Sequence, residues 1–265
     1  MPRFSRNGAG KTCSHTAPAA LISFTEVGPD MGKNFRIRWW YPLAAALLLA
    51  IAALVQQSRS AAANASTEPP VLVIDAGHGG ADGGASAADG TLESDINLDI
   101  ALRLEALARF WGAKTLMTRT GQNIAYPSDA GSIAEKKIAD QHARLGLVNN
   151  TPGAVLLSIH QNKYPAPSPH GIQVFYGSVP GSDALAELTQ ANLTALLCPD
   201  NRRVAAPADK GVYLMKNANC TAVLVECGFL SNPGDLADLR DGGYRMKLAA
   251  VMLGSYLQYI RGAST

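Results

Sequence analysis

Hydrophobic positions follow two different patterns along this chain, and the change falls near residue 70. Beyond it, short continuous apolar runs rich in β-branched residues predict strands that are buried on both faces. These runs are Val71–Ile74, Lys114–Thr118, Ala154–Ile159, Ile172–Tyr176 and Ala222–Glu226. Before it, one long apolar run stands alone between polar segments. The pattern therefore predicts one folded domain after residue 70.

The stretches between the predicted strands carry the three- and four-residue spacing of amphipathic helices. A first helix runs from Leu92 to a stop at Gly112, with an inward face formed by Ile96, Ile100, Leu104, Leu107 and Trp111. Two further helices are predicted over residues 131–150 and over Asp183–Leu197, the second with Leu185, Leu188 and Leu196 inward. After a break at Pro233 and Gly234, a last helix is predicted along Leu248, Met252, Tyr256 and Tyr259. Helices that alternate with strands predict an α/β fold: a single domain whose twisted, mostly parallel or mixed sheet has helices on both faces.

The first 70 residues predict an exported protein. Residues 1–35 lack hydrophobic periodicity and have the composition of a disordered tail. Residues 36–57 combine basic and aromatic side chains with the apolar run Leu43–Val55, which is typical of a signal peptide or of an uncleaved signal anchor. A buried core helix is the third interpretation of this run. Residues 58–70 form a linker, and the predicted domain occupies residues 71–262.

Charge and cysteine content exclude some functions. The formal charge of +2 and the scattered Lys and Arg residues argue against nucleic acid as a partner. The domain holds Cys198, Cys220 and Cys227 but no CxxC pair for a structural zinc site. Cys227, at the end of an apolar run, is predicted to be a small core residue. A Cys198–Cys220 disulfide remains an open alternative.

Four residues that suit metal or acid/base chemistry lie at or just beyond the ends of predicted elements. His78 follows the first strand, Glu93 stands in the segment DGTLES, His160 ends the run AVLLSIH, and Glu226 ends AVLVE. In an open α/β sheet, the carboxyl ends of the strands border the crevice where ligands bind. We therefore expect these four side chains to converge.

The residue types predict a zinc hydrolase. Two imidazoles and one carboxylate form a common catalytic zinc set that leaves a fourth position for water, and His78, Glu93 and His160 supply it. Glu226 would then remain unbound and act as the proton acceptor and donor. Glycines around His78 would let the backbone turn sharply after the strand.

Each of these residues also has a purely structural interpretation. A lone histidine after a strand is often only hydrogen-bonded, and a glutamate such as Glu93 often does no more than stabilise the first turn of a helix. A carboxylate that ends a buried run, such as Glu226, is harder to explain structurally. The remaining histidines, His15, His142 and His170, are interpreted as incidental. Tyr164, Tyr176 and Tyr213 are candidates for contacting a ligand, although such tyrosines more often pack in the core or anchor a loop.

The motifs VIDAGHGGADGGA, LESDINL, SIHQN and LVECGFLSN, taken in this order, resemble the zinc-dependent N-acetylmuramoyl-L-alanine amidases of the type 3 class. The resemblance covers residues 71–260. It implies zinc binding by His78, Glu93 and His160, catalysis by Glu226, and cleavage between the lactyl group of N-acetylmuramic acid and L-alanine in peptidoglycan. Ala76, Gln161 and Cys227 differ from the residues frequent in the family, but none of the three is an expected ligand.

The resemblance also bears on where the protein acts. The domain looks most like the germination-specific members of the family that act in forming the spore cortex, although vegetative enzymes of similar build exist. We expect an extracytoplasmic protein, either membrane-anchored through its N-terminal segment or secreted to the cell wall or the spore cortex space. No long insertion between His160 and Glu226 is apparent, which predicts a cleft that is open without an activator; a regulatory partner is not identified.

Three other functions compete with this one. A peptidoglycan carboxypeptidase or deacetylase would use similar zinc chemistry on another bond. A wall-binding module would bind zinc without turnover. A phosphate-binding enzyme is suggested by the glycine-rich loop, but AGHGGADGG matches neither GxGxxG nor GxxxxGK[ST].

Overall fold

A six-stranded mixed sheet forms the centre of the domain in this computed structural model, which describes residues 70–263. The strands are β1 (Val71–Ala76), β2 (Lys114–Met117), β3 (Ala154–Asn162), β4 (Gln173–Tyr176), β5 (Ala206–Pro207) and β6 (Thr221–Phe229). The helices are α1 (Glu93–Phe110), α2 (Ile133–Asn149), α3 (Ser182–Leu197), α4 (Tyr213–Asn217), α5 (Pro233–Arg240) and α6 (Gly242–Gly262). The predicted α/β class is confirmed.

The strand order is β2-β1-β3-β6-β4-β5, and the pairings bring the carboxyl ends of several strands together on one side of the sheet. Strands β2, β1, β3 and β6 are parallel, whereas β4 runs antiparallel to β6. His160 on β3 lies opposite Glu226 on β6, and Glu226 lies opposite Gln173 on β4. Residues at the carboxyl ends of β1, β3 and β6 are therefore neighbours.

Side chains alternate along the central strands and form two separate cores. One core lies between the sheet and helices α1, α3 and α6; its strand residues include Ile74, Leu157 and Val225. The opposite core packs Val73, Leu156 and Leu224 against residues of α2 and α4. The prediction of helices on both faces is thus confirmed.

Local sequence explains where helix α1 ends and where helix α2 begins. Helix α1 ends at Phe110, and the chain turns at Gly112, whose φ of 76° suits glycine. The N–H of Gly112 donates to Arg109 O, and the N–H of Ala113 donates to Ala108 O, which is the Schellman arrangement. Helix α2 begins with a capping box in which Ser132 and Glu135 satisfy each other's backbone N–H groups.

Two residues predicted to face inward are exposed. Trp111 is 64% exposed because α1 ends at Phe110, so Trp111 lies beyond the last residue that packs on the sheet. Leu196 is 68% exposed, since the buried stripe of α3 ends with Leu193, one turn before the helix ends. Helical spacing alone does not reveal where a neighbouring layer stops.

The predicted break at Pro233 is wrong in one respect, because Pro233 begins helix α5. The side chain of Asn232 accepts hydrogen bonds from the N–H groups of Gly234 and Asp235, and proline is well suited to the first helical turn. Asp241 then caps α6 in the same way. The short elements β5 and α4 were not predicted.

The described residues belong to one compact unit, Ala61–Thr265, which contains both cores. Within residues 70–263, no helix has the length and apolar character needed to cross a membrane. The predicted tail, the signal or anchor segment at 36–57, and nearly all of the linker lie outside the described residues. Cys198, Cys220 and Cys227 are all free thiols, so the alternative of a Cys198–Cys220 disulfide is wrong, and Cys227 is buried in the core as predicted.

Candidate metal centre

Three of the four candidate residues meet at the carboxyl edge of the sheet. His78 follows β1, Glu93 is the first residue of α1, and His160 lies near the end of β3. One ligand atom from each lies within 4.8 Å of the others. Oε1 of Glu93 is 3.3 Å from Nε2 of His78 and 3.0 Å from Nδ1 of His160. Across residues 70–263 no other His, Cys, Asp and Glu side chains form such a group.

The backbone at His78 adopts the left-handed conformation, with φ of 58°, and no other non-glycine residue in the described range does so. Two buried arginines hold this turn. Arg144 donates to the carbonyls of Ala76 and His78, each at 2.6 Å. Arg119 donates to the carbonyls of Ala76 at 2.8 Å and Gly77 at 3.0 Å. Both arginines thus fix the direction in which the imidazole of His78 leaves the strand.

Asp75, on β1, provides the charge that balances Arg144. Its Oδ1 lies 2.8 Å from Nη1 of Arg144, and it accepts hydrogen bonds from the hydroxyls of Ser158 and Thr118. Burial alone would raise the pKa of Asp75, but the Arg144 guanidinium, aided by these bonds, lowers it to about 2. A fully ionised ion pair therefore lies beneath the turn.

Glu93 is buried among hydrogen-bond donors. The backbone N–H of Ala85 donates to its Oε2 at 2.8 Å, and that of Gln161 donates to its Oε1 at 3.1 Å. Burial raises the pKa of this carboxyl, but the neighbouring imidazoles of His160 and His78 outweigh burial and hold the pKa well below its usual value. Glu93 is therefore a carboxylate at neutral pH.

Asp82 orients the imidazole of His78. Its Oδ2 lies 2.8 Å from Nδ1 of His78, which leaves Nε2 directed toward Glu93. Burial lowers the pKa of His78, but the adjacent carboxylates of Glu93 and Asp82 more than offset this effect and raise it. A carboxylate behind an imidazole is the usual outer partner of a histidine that binds a metal.

Two glycines are required by the close approach of these side chains. A Cβ on Gly77 would lie 2.3 Å from the ring of His160. A Cβ on Gly84, whose φ is 69°, would lie 2.6 Å from Oε2 of Glu93 and 2.8 Å from the ring of His78. Any larger residue at either position would displace a side chain of the trio formed by His78, Glu93 and His160.

Glu226 lies on β6 beside the trio in a different environment. Its Oε2 is buried and has no hydrogen-bond partner within the described part of the chain. Burial raises the pKa of Glu226 to about 7, and the charge on Glu93 adds to this effect, while His160 and His78 oppose it. The second carboxyl is therefore poised to exchange a proton near neutral pH.

A cleft with a volume of about 180 Å³ lies beside the site, between helices α2 and α4. His78, His160 and Glu226 line it together with Lys137, Arg144, Tyr213 and Leu214. Of the three tyrosines considered for contacting a ligand, Tyr213 lines the cleft, whereas Tyr164 and Tyr176 do not. The ring of His142 lies 5.3 Å from that of Tyr213, centroid to centroid.

The other histidines do not join the trio. His142 contacts Tyr213, and His170 lies in a loop where its carbonyl accepts a bond from Arg203. His15 lies outside the described residues. Sequence patterns did not identify Asp82, Arg119 or Arg144. The spacing of Asp140 and Arg144, one helical turn apart, is a signal that could have indicated an ion pair for Arg144.

Comparison with known proteins gives consistent matches. The family model described as N-acetylmuramoyl-L-alanine amidase matches residues 72–255. The germination-specific N-acetylmuramoyl-L-alanine amidase of Bacillus subtilis is 32% identical over 190 residues, which cover 71% of this chain and 79% of that protein. The amidase LytC of the same organism is 30% identical over 193 residues, or 72% of this chain and 35% of LytC.

A solved structure also resembles this one. It is the CwlD amidase from Clostridioides difficile in complex with the GerS lipoprotein, with a TM-score of 0.70 and 32% sequence identity. The similarity covers 72% of this chain and 98% of that chain. The residues matched by the family model, 72–255, include His78, Glu93, His160 and Glu226.

Proposed function

The chain belongs to the N-acetylmuramoyl-L-alanine amidase family, and from this premise we propose a zinc-dependent mechanism for its domain. His78, Glu93 and His160 hold the ion, and Glu226 transfers the proton. The bond hydrolysed is the amide between N-acetylmuramic acid and the L-alanine of the peptidoglycan stem. The observation that carries the mechanism is the meeting of two imidazoles and an ionised carboxylate beside a second carboxyl whose buried Oε2 has no hydrogen-bond partner among the described residues.

The donor set favours zinc over other common ions. Calcium and magnesium prefer cages of oxygen ligands, whereas two imidazole nitrogens and one carboxylate are typical of catalytic zinc. The ligand atoms already lie within 4.8 Å of one another, and the cleft leaves one side open. When bound there, zinc lowers the pKa of a coordinated water and polarises the substrate carbonyl.

Glu226 supplies the acid/base function. As a carboxylate it accepts a proton from the attacking water, and as a carboxylic acid it returns that proton to the departing amine of L-alanine. A pKa of about 7 in the protein without metal allows both forms near neutral pH. Glu93 is unsuited to this role because the hydrogen bonds and imidazoles around it keep it ionised.

Residues around the trio keep the proposed ligands in place. Arg144 and Arg119 hold the carbonyls of the turn at His78, and Asp82 holds the back of its ring. Tyr213, the first residue of α4, lines the cleft, so it is positioned to contact the sugar or the stem peptide. This arrangement fixes the ligands before the substrate arrives.

The biological setting is a finer proposal. We place the enzyme outside the cytoplasmic membrane, as expected for cell-wall amidases, and in spore-cortex modification because the germination-specific relative matches over most of its length. The C. difficile relative is in complex with a lipoprotein, which makes control by a membrane-attached partner the competing proposal to a permanently open cleft. Turnover by the purified domain alone would favour the open cleft.

Mass spectrometry of digested muropeptides tests the proposal. Residues 66–265 are incubated with purified peptidoglycan and defined muropeptides, with zinc and after metal removal by a chelator. We expect zinc-dependent release of intact stem peptides with a free L-alanine amino terminus. Loss of acetyl groups or of terminal residues would instead identify a deacetylase or carboxypeptidase, and bound zinc without any product would identify a binding module.

A further inference from the structure

Two large aromatic side chains stand exposed, side by side, at the end of helix α1. Phe110 is 85% exposed and Trp111 is 64% exposed. Their ring centroids are 6.5 Å apart and the rings are nearly perpendicular. Single exposed apolar residues are ordinary, but an adjacent Phe and Trp with this exposure form an apolar projection that water solvates poorly.

The position of this aromatic pair relative to the start of the domain is fixed by the sheet. The chain turns at Gly112 and enters β2 at Lys114, and Lys114 lies directly opposite Val71 in the parallel pairing of β1 and β2. The pair therefore lies within about 20 Å of the point where the chain enters the domain. The catalytic cleft lies at the other end of the same strands.

The sequence before the domain places a predicted membrane segment close, along the chain, to the end of the domain that carries the aromatic pair. Val55 ends the apolar run that predicts a signal or anchor, and only 15 residues, 56–70, separate it from β1. Even when fully extended, 15 residues cannot span more than about 50 Å. If the run lies in a bilayer, this limit keeps the start of β1 within about 50 Å of that bilayer, and the aromatic pair lies at the same end of the domain.

The composition of the pair and its flanks fits a lipid interface. Trp and other aromatic side chains concentrate at the boundary between headgroups and acyl chains, and basic side chains pair with anionic headgroups. Arg109 and Lys114, both exposed, flank the pair, although Arg109 also contacts Glu105 at 3.4 Å. We propose that Phe110 and Trp111 dock this end of the domain onto an anionic phospholipid surface.

Docking in this way would have a consequence for the enzyme. The aromatic pair lies at the amino end of the parallel strands and the trio lies at their carboxyl end, so a docked domain directs its cleft away from the lipid and toward the wall. The contact belongs to the folded domain and persists whether or not the N-terminal segment is cleaved. It does not depend on amidase chemistry.

Trp111 permits a direct test. The chain has three tryptophans, at positions 39, 40 and 111, so a protein of residues 66–265 contains Trp111 alone. Such a protein should fold by itself, because both cores lie within the compact unit and the similarity covers 98% of a solved relative. With vesicles of equimolar phosphatidylcholine and phosphatidylglycerol, we expect a blue shift of Trp111 emission and quenching by brominated acyl chains.

Two variants separate docking from nonspecific adsorption. Phe110→Ser/Trp111→Ser should weaken sedimentation with the anionic vesicles by about tenfold or more. Leu196→Ser, which alters an equally exposed apolar residue on α3, should bind like the parent protein. Trp111 emission that stays unshifted and unquenched with vesicles would overturn the proposal, as would equal binding by all three proteins. Hydrolysis of soluble muropeptides, measured in parallel, reports separately on the amidase.

Discussion

Two carboxyl groups, those of Glu93 and Glu226, belong to the candidate site, and their surroundings differ in almost every respect. The region around Glu93, where the loop after β1 meets the start of α1, supplies backbone N–H donors and two imidazoles. The region around Glu226, on β6, leaves a buried oxygen without any hydrogen bond from the described residues. One carboxyl is held ionised, and the pKa of the other is raised to about 7.

The contrast shows how one site can use two glutamate side chains for two different tasks. A metal ligand must be ionised at all working pH values, whereas an acid/base group must gain and lose a proton readily. Environments that push two pKa values apart therefore separate these tasks. The same conservative substitution, made in each region, should produce two different defects.

The largest effect is expected for Glu93→Gln. Glutamine keeps the shape and can still accept from the N–H of Ala85, but it removes the charge between His78 and His160. Loss of an outer partner weakens metal binding by about 10–100-fold, so loss of a charged ligand should exceed that range. We expect little bound zinc and turnover no higher than that of the metal-free protein. Zinc stoichiometry by elemental analysis and hydrolysis of muropeptides measure both effects.

A folded control makes this prediction interpretable. The melting temperature of Glu93→Gln in chelator shows whether the domain still folds, and the parent protein in chelator gives the reference turnover. Full zinc content with normal turnover in the variant would remove Glu93 from the ligand set.

Glu226→Gln should produce the second-largest effect. Glutamine cannot accept the proton of the attacking water, and removal of such a group typically costs about 10²–10⁴-fold in rate. Because Glu226 is not expected to bind the ion, zinc content should match that of the parent protein. Steady-state kinetics on a defined muropeptide, with zinc content measured on the same sample, test the two halves of this statement. Turnover within a few-fold of the parent would make Glu226 structural.

Sequence patterns predicted the four candidate site residues, His78, Glu93, His160 and Glu226, because each lies at or near the end of a recognisable strand or helix. His160 and Glu226 end apolar runs that become β3 and β6, and the register of those strands makes them neighbours. His78 follows β1 in a glycine-rich turn. The order of the parallel strands then determines that these ends converge, which is a property of the fold class rather than of any one segment.

The supporting residues could not be predicted in this way. Arg144 lies in α2, where its spacing from Asp140 indicates only an ordinary ion pair between successive helical turns. Its contacts with Asp75 and the carbonyl of His78 join residues more than 60 positions apart. Such contacts depend on how α2 packs over the sheet, and local periodicity carries no information about that packing.

The third prediction, with a smaller expected effect, concerns how the free energy of unfolding depends on pH through Glu226. The pKa of Glu226 rises from its usual 4.5 to about 7 on folding, so between these values the folded protein binds a proton that the unfolded chain has lost. Stability therefore falls as pH rises through this window, by at most about 3 kcal/mol at pH 8 for the metal-free protein. Glu226→Gln should remove this fall.

Denaturant unfolding in chelator at pH 5 and pH 8 measures the effect. The parent protein should lose more stability between the two pH values than Glu226→Gln does, whereas Glu187→Gln, which alters an exposed carboxylate on α3, should behave like the parent. An identical pH dependence in parent and Glu226→Gln would mean that Glu226 titrates normally.

The smallest effect is expected one contact away from the trio, at Asp82. Asp82→Asn keeps a hydrogen-bond acceptor near Nδ1 of His78 but removes the charge that orients the ring and favours binding through Nε2. Zinc affinity should fall by about 10–100-fold, with near-normal turnover once zinc is saturating. Asp89→Asn is the matched control, because Asp89 lies in the same loop but pairs with Arg240. Competition with a chelating dye gives both dissociation constants. Equal zinc affinities for the two variants would show that the turn held by Arg144 and Arg119 positions His78 without help from Asp82.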